Sequence, residues 1–154
     1  MLDSWIAQRD IQKDIFIDTN IAKNFTNPLD PEYKKLVLWL RDKGTWVVNQ
    51  KLLVEYGRTN QTIFVLINEL QKQGRIVKYG KPELDAIPFK KAYQKKLKSN
   101  SEDWTHLKTI WLSVRKIGII IDSGLRDDVN DSPLQSGIQP TAVSRPQDID
   151  YKNL

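Results

Sequence analysis

Ile15-Phe16-Ile17-Asp18-Thr19-Asn20 sets three consecutive β-forming apolar side chains directly against an aspartate and two further polar residues. The run is too short for a helix and is bounded as a buried strand is bounded, so it predicts the first strand of a sheet. The next apolar residues, Ile21, Ala22 and Phe25, predict a short helix that stops near Asn27-Pro28. Asp30-Pro31-Glu32 then supplies a helix cap with proline at the first helical position, and Lys43-Gly44 closes that second helix. Thr45 to Asn49 reads as a second strand and Gln50 to Arg58 as the helix after it. Thr62 to Gln73 is a further helix, stopped by Gly74.

The same alternation continues toward the C-terminus. Arg75 to Tyr79 fits a short strand, Gly80 to Phe89 is turn-rich, and Lys90 to Lys98 predicts a basic helix. Ser101-Glu102-Asp103 is a helix opening that carries acids at the positive end of the helix dipole, and the helix should run to about Arg115. Gly118-Ile119-Ile120-Ile121-Asp122 gives a central strand that again ends on an aspartate. Strands separated by helices predict an α/β three-layer sandwich with a mostly parallel central sheet, whose ligands bind at the carboxyl ends of the strands. Residues 1–130 should form the functional domain. Residues 131–154 are expected to be a polar tail, loosely structured or holding one edge strand near Ala142-Val143.

Composition limits the chemistry. At 154 residues the chain has the size of one domain. It has no cysteine and one histidine, which excludes disulfides, thiol nucleophiles and conventional zinc sites, so any metal must be held by oxygen. No apolar run can span a bilayer. The N-terminal residues Asp3, Trp5, Arg9 and Asp10 lack the apolar core of a signal peptide, and a cytoplasmic location is expected. Net charge is +5, yet nine cations against two acids fall between Lys72 and Lys98, more than the whole-chain excess. Such a cluster, with Lys90, Lys91, Lys95 and Lys96 at its centre, attracts nucleic-acid phosphates, or is simply a solvated helix face.

Asp18 and Asp122 end two apolar strands, and if those strands are neighbours the carboxylates converge. Asp103, with Glu102 beside it, joins from a helix start, and Glu55 from the helix after the second strand. Acids that close repel unless a hard cation neutralises them, which suits Mg2+ or Mn2+. Singly, each acid has an ordinary explanation: Asp18 and Asp103 as helix-end residues, Glu55 on the surface, Asp122 in a turn.

These residues resemble the PIN domain, a compact α/β nuclease fold. Ile15-Phe16-Ile17-Asp18-Thr19-Asn20 looks like the family's opening strand-Asp-Thr/Ser-Asn motif. Glu55 follows the second strand, Asp103-Trp104-Thr105-His106 begins a later helix, and Ile119-Ile120-Ile121-Asp122 precedes the tail. Order and spacing agree from about residue 14 to residue 126. The resemblance implies metal-dependent hydrolysis of RNA phosphodiesters, with Asp18, Glu55, Asp103 and Asp122 holding one or two Mg2+ or Mn2+ ions and Thr19 and Asn20 orienting the first acid or its water. Many small stand-alone members of that family are toxins of toxin-antitoxin pairs, a role the sequence leaves open, so the partner expected is RNA, with an inhibitory antitoxin and a second copy of the chain as further options.

Departures leave alternatives open. Ile120 stands two residues before the last acid, where the family often has serine or threonine, which favours a catalytically inactive RNA-binding module. Glu102 could replace Asp103, and Asp127 or Asp128 could replace Asp122. A small-molecule phosphatase would need a second acid two residues after its nucleophile, where Asn20 stands. His106 is expected to be structural, and most of the tryptophans to be core, with Trp104 the one that could stack on a base at the cleft.

Overall fold

The computed structural model describes residues 12–26, 30–133 and 137–154. Its centre is a five-stranded sheet built from β1 (Lys13–Ile17), β2 (Gly44–Asn49), β3 (Ile76–Tyr79), β4 (Ile117–Ile119) and β5 (Thr141–Val143), in the order β3-β2-β1-β4-β5. Every pairing is parallel. Parallel neighbours require crossovers, and these are filled by α1 (Thr19–Ala22), α2 (Pro31–Asp42), α3 (Gln50–Thr59), α4 (Ile63–Lys72), α5 (Lys81–Asp85), α6 (Lys91–Gln94), α7 (Trp104–Leu112) and α8 (Ser123–Asn130). From β1 the chain moves outward through β2 to β3, then returns past β1 to add β4 and β5. Right-handed crossovers therefore put the helices of the two halves on opposite faces, which makes the three-layer sandwich. The order reverses between β1 and β4, and in parallel α/β sheets ligands generally bind beside such a point, at the carboxyl edge.

Local chemistry accounts for the elements. Ile15, Phe16 and Ile17 are fully buried, as are Trp46, Val47 and Val48 of β2, the continuous apolar pattern of strands covered on both faces. Asp30 Oδ1 accepts the Glu32 amide at 3.0 Å, with Pro31 opening α2. Gly74 ends α4 at φ 71°, a left-handed conformation that glycine adopts without steric cost. Beneath the carboxyl end of β1, Trp46 Nε1 donates to the Tyr56 hydroxyl at 3.2 Å, and that hydroxyl donates to the Ile17 carbonyl. No helix among the described residues is long and apolar enough to cross a membrane.

Several expectations need correction. The basic helix over Lys90 to Lys98 is a single turn, α6, because Phe89 and Tyr93 turn inward with ring centroids 5.1 Å apart and pack on Trp111. The turn-rich stretch before it contains α5. β4 ends at Ile119, although the Ile120 amide still donates to the Val143 carbonyl at 2.8 Å. Of the two options for the C-terminal segment, the edge strand is realised. Beyond β5, Pro146 and Leu154 are buried and Tyr151 packs on Trp39 with centroids 5.4 Å apart, so residues 137–154 belong to the body of the fold. The helix stop at Asn27-Pro28 and Trp5 lie outside the described residues.

At the other end of β1, Asp14 is a fully buried carboxylate that bridges two elements a hundred residues apart. Its Oδ2 accepts the Val114 amide at 2.8 Å and its Oδ1 the Arg115 amide at 2.7 Å, fixing the turn that leads into β4. Asp14→Ala would remove the acceptor of both amides, and at roughly 1–3 kcal/mol for each unsatisfied buried group the loss should be about 2–6 kcal/mol. Denaturant unfolding of the variant checks this, and a change below about 0.5 kcal/mol would contradict the bridging role.

Candidate metal centre

The carboxyl edge at the reversal point collects acids from three elements. Asp18 follows β1 directly, and its amide donates to the Ile119 carbonyl at 3.0 Å, which extends the β1–β4 pairing by one bond. Glu55 projects from the second turn of α3. Asp103 ends a 3-10 turn, Ser101–Asp103, that leads into α7. Among the described residues, ligand atoms of Glu55, Asp103 and His106 lie within 4.8 Å of one another. Asp18 lies outside that tight set but within electrostatic reach of His106 and Glu55, and Asp122 within reach of Asp103.

The acids at helix starts differ in whether they cap. Asp122 Oδ1 caps α8 by accepting the Leu125 amide at 2.8 Å, so one of its oxygens serves the turn. Asp18 and Asp103 stand at helix starts too, yet neither side chain makes a capping bond. Nor is either salt-bridged to a lysine or arginine among the described residues. The contact on the Asp18 carboxylate from across the crevice is a long one, from the Ile121 amide at 3.4 Å.

Electrostatics follow from this. Burial pushes the Asp18 carboxyl above the ordinary aspartate range, against the pull of the Ile121 and Thr19 amides and of His106. Burial raises Asp103 as well, opposed by His106 and Lys51 and reinforced by Glu55 and Asp122. Burial acts upward on Glu55 too, but the hydrogen bonds from His106 and the Thr19 hydroxyl, with Lys51 nearby, outweigh it, and Glu55 ends below the ordinary range. Two carboxyls are therefore held in a setting that disfavours their charge, beside a third that stays ionised. Glu55, Asp103 and His106 are the described residues grouped closely enough to share an ion, with the Asp18 carboxyl within electrostatic reach of Glu55 and His106.

The remaining expected site residues fall as follows. The Thr19 hydroxyl donates to Glu55 Oε2 at 3.1 Å, so it orients the second acid. Asn20 is exposed on α1, where its carbonyl accepts from Asn24. Glu102 is exposed, and its carbonyl accepts from Lys51 Nζ, while Asp103 turns into the cluster. Asp127 pairs with Lys98 Nζ at 3.1 Å. Asp128 is buried and saturated by the Lys98 amide at 2.9 Å, the Ser99 amide at 2.8 Å and the Ser99 hydroxyl at 2.5 Å. These two acids fasten the chain that leads to Asp103 and do not reach the site themselves. Ile120 is fully buried. Trp104 faces Phe89, with ring centroids 6.0 Å apart. Lys90, Lys91, Lys95 and Lys96 are all exposed on the segment that precedes the clasp.

Sequence reasoning missed Asn49 and Lys51. Asn49 is fully buried at the end of β2 and touches His106, and its only local signal is a helix-capping asparagine before Gln50. Lys51 lies one turn ahead of Glu55 and answers the charge of Asp103. Family models, curated proteins and solved structures compared with the chain give no match.

Because its folded pKa is raised, Asp18 adds stability that is full below the ordinary aspartate range and is lost as pH rises through the raised value. In chelator at pH 7, Asp18→Asn should therefore melt at a higher temperature than the parent. The gap should shrink as pH falls below the ordinary aspartate range. A melting temperature at pH 7 equal to or below the parent's would contradict the desolvated, uncompensated carboxylate.

Proposed function

We propose that this chain is a metal-dependent endoribonuclease of PIN-like architecture that hydrolyses RNA phosphodiesters at the crevice of Asp18, Glu55 and Asp103. The observation that supports this most is the pair of acids, Asp18 and Asp103, that stand at helix starts without capping and gather beside Glu55 where the strand order reverses. Carboxylates left unneutralised in a half-buried crevice lower stability, so their presence is best explained by a task. A Mg2+ or Mn2+ ion held there supplies Lewis-acid chemistry, acidifying a water and neutralising charge on the attacked phosphate.

The chain's own groups do the rest. Thr19 and His106 fix the Glu55 carboxylate from two sides. Asp122, with one oxygen in the cap of α8, has the other to offer to the crevice, which makes it a weaker contributor than Asp18. Lys90, Lys91, Lys95 and Lys96 draw in the phosphate backbone without reading bases, so affinity should depend on salt more than on sequence.

Labelled RNA incubated with Mn2+, Mg2+ or chelator tests the reading: cleavage should require the ion, while salt-sensitive binding should survive chelation. Asp18→Asn and Asp103→Asn should each reduce cleavage by roughly 100-fold or more. Glu102→Gln, at an exposed position, should stay within about twofold. Binding without any metal-dependent cleavage would make the chain an RNA-binding module that has kept the fold and lost the chemistry. Replacing Lys90, Lys91, Lys95 and Lys96 by glutamine should lower the salt slope of binding by roughly 0.7 for each single-strand phosphate that the variant no longer neutralises. An unchanged slope would make these lysines a solvated face only.

A further inference from the structure

His106 is the only histidine of the chain and is 2% exposed. Its Nε2 lies 3.3 Å from both Glu55 oxygens, and its Nδ1 lies 3.1 Å from Asn49 Nδ2. By position alone Nε2 has two possible roles. With its lone pair free it would be a nitrogen ligand beside Glu55 and Asp103. With a proton it would be a donor to Glu55, and the ion would meet oxygen only.

Asn49 decides between them. Its Oδ1 accepts the Leu52 amide at 2.7 Å as the cap of α3, so turning the side-chain amide over would set an NH2 group against an N–H. Its Nδ2 therefore faces His106 Nδ1 and, at 2.8 Å, Thr109 Oγ1. The Thr109 hydroxyl donates its own proton to the Thr105 carbonyl at 2.8 Å, which leaves it an acceptor toward Asn49. Both N–H bonds of Asn49 are thus accounted for, and His106 Nδ1 has to accept one of them. The proton of the neutral ring sits on Nε2, aimed at Glu55. The ring is also packed against Phe16, with centroids 5.3 Å apart, so it is held on both edges and one face.

We propose that His106 is a positioning residue: Asn49 keeps its ring in the Nε2–H form, Nε2–H donates to the Glu55 carboxylate, and the ion is left with oxygen donors alone. The inference rests on the metal site proposed above but concerns a proton whose place can be read without RNA. Bringing Nε2 to the ion would move the ring proton to Nδ1, directly against an Asn49 N–H. Freeing that contact would cost α3 its cap or Thr109 its partner. Glu55, receiving the Thr19 hydroxyl at 3.1 Å as well, is held from two sides and keeps lone pairs for the ion.

The first measurement is the two-bond proton–nitrogen correlation spectrum of the 15N-labelled, metal-free full chain at pH 8, where the single histidine leaves no assignment ambiguity. Nδ1 should resonate as a bare, pyridine-type nitrogen and Nε2 as a protonated, pyrrole-type nitrogen, with the pattern kept when Mg2+ is added. The reverse pattern, a doubly protonated ring, or loss of the Nε2 proton on adding Mg2+ would each overturn the inference. The second is Mn2+ affinity, read from free Mn2+ by electron paramagnetic resonance. His106→Phe keeps the ring packing and removes the donor, and should weaken Mn2+ binding about 10–100-fold. His106→Gln, which restores an N–H, should stay within a few-fold of the parent. Parental affinity in His106→Phe, or equal loss in both variants, would defeat the donor role while leaving the proposed metal site standing. A parent chain that binds no Mn2+ defeats the metal site and its oxygen-only ligation together, and the ring spectrum then still decides which way the hydrogen bonds run.

Discussion

Parallel pairing of β1 with both β2 and β4 is the constraint on which the rest of this molecule depends. Parallel neighbours cannot be joined by tight turns, so every connection crosses a face of the sheet and every strand releases its chain at the same edge. Asp18, Asn49 and the Ile120–Asp122 segment leave three adjacent strands at that edge, while α3 and α7 deliver Glu55, His106 and Asp103 to it from opposite layers. The bond from the Asp18 amide to the Ile119 carbonyl closes the reversal point from below. The crevice is thus a product of topology before any side chain is chosen, and side-chain identity then decides what the crevice can do.

What distinguishes the chosen side chains is how little of their hydrogen-bonding capacity goes to the fold. Asp14, Asp30, Asp122 and Asp128 all accept backbone amides, and each one defines a turn or a cap. Asp18 and Asp103 occupy similar local positions without capping the helix that follows, and burial works against their charge. Glu55 is the counterpart, with donors on two sides and its charge favoured. Two acids whose charge burial disfavours thus stand beside one whose charge its neighbours favour.

Much of this is legible in the sequence because its causes are local. The cap at Asp30-Pro31, the stop at Gly74 and the strand before Asp18 depend on neighbours within a few residues. The basic segment departs from its expected nine-residue helix because Phe89 and Tyr93 have partners on α7 that outrank local helix propensity. Asn49 is invisible in the sequence for a related reason. As a helix cap it is ordinary, and its contacts to His106 and Thr109 span 57 and 60 residues. The choice of Asp103 over Glu102 likewise turns on the direction of one 3-10 turn, which no spacing rule fixes.

The clasp at Lys98 and Ser99 has a consequence for how such a protein can diversify. Asp128 takes both amides, and at Gly124 an added Cβ would come 3.2 Å from the Lys98 carbonyl, so this short link is registered against α8 before the chain reaches Asp103. The position of the chain just ahead of Asp103 is thus set by α8 rather than by the segment that precedes Lys98. The segment from α5 through α6 can accordingly vary in length and composition as long as its aromatic underside still finds Trp111. The cationic surface of that segment and the acids at the strand ends thus rest on separate anchors in the fold.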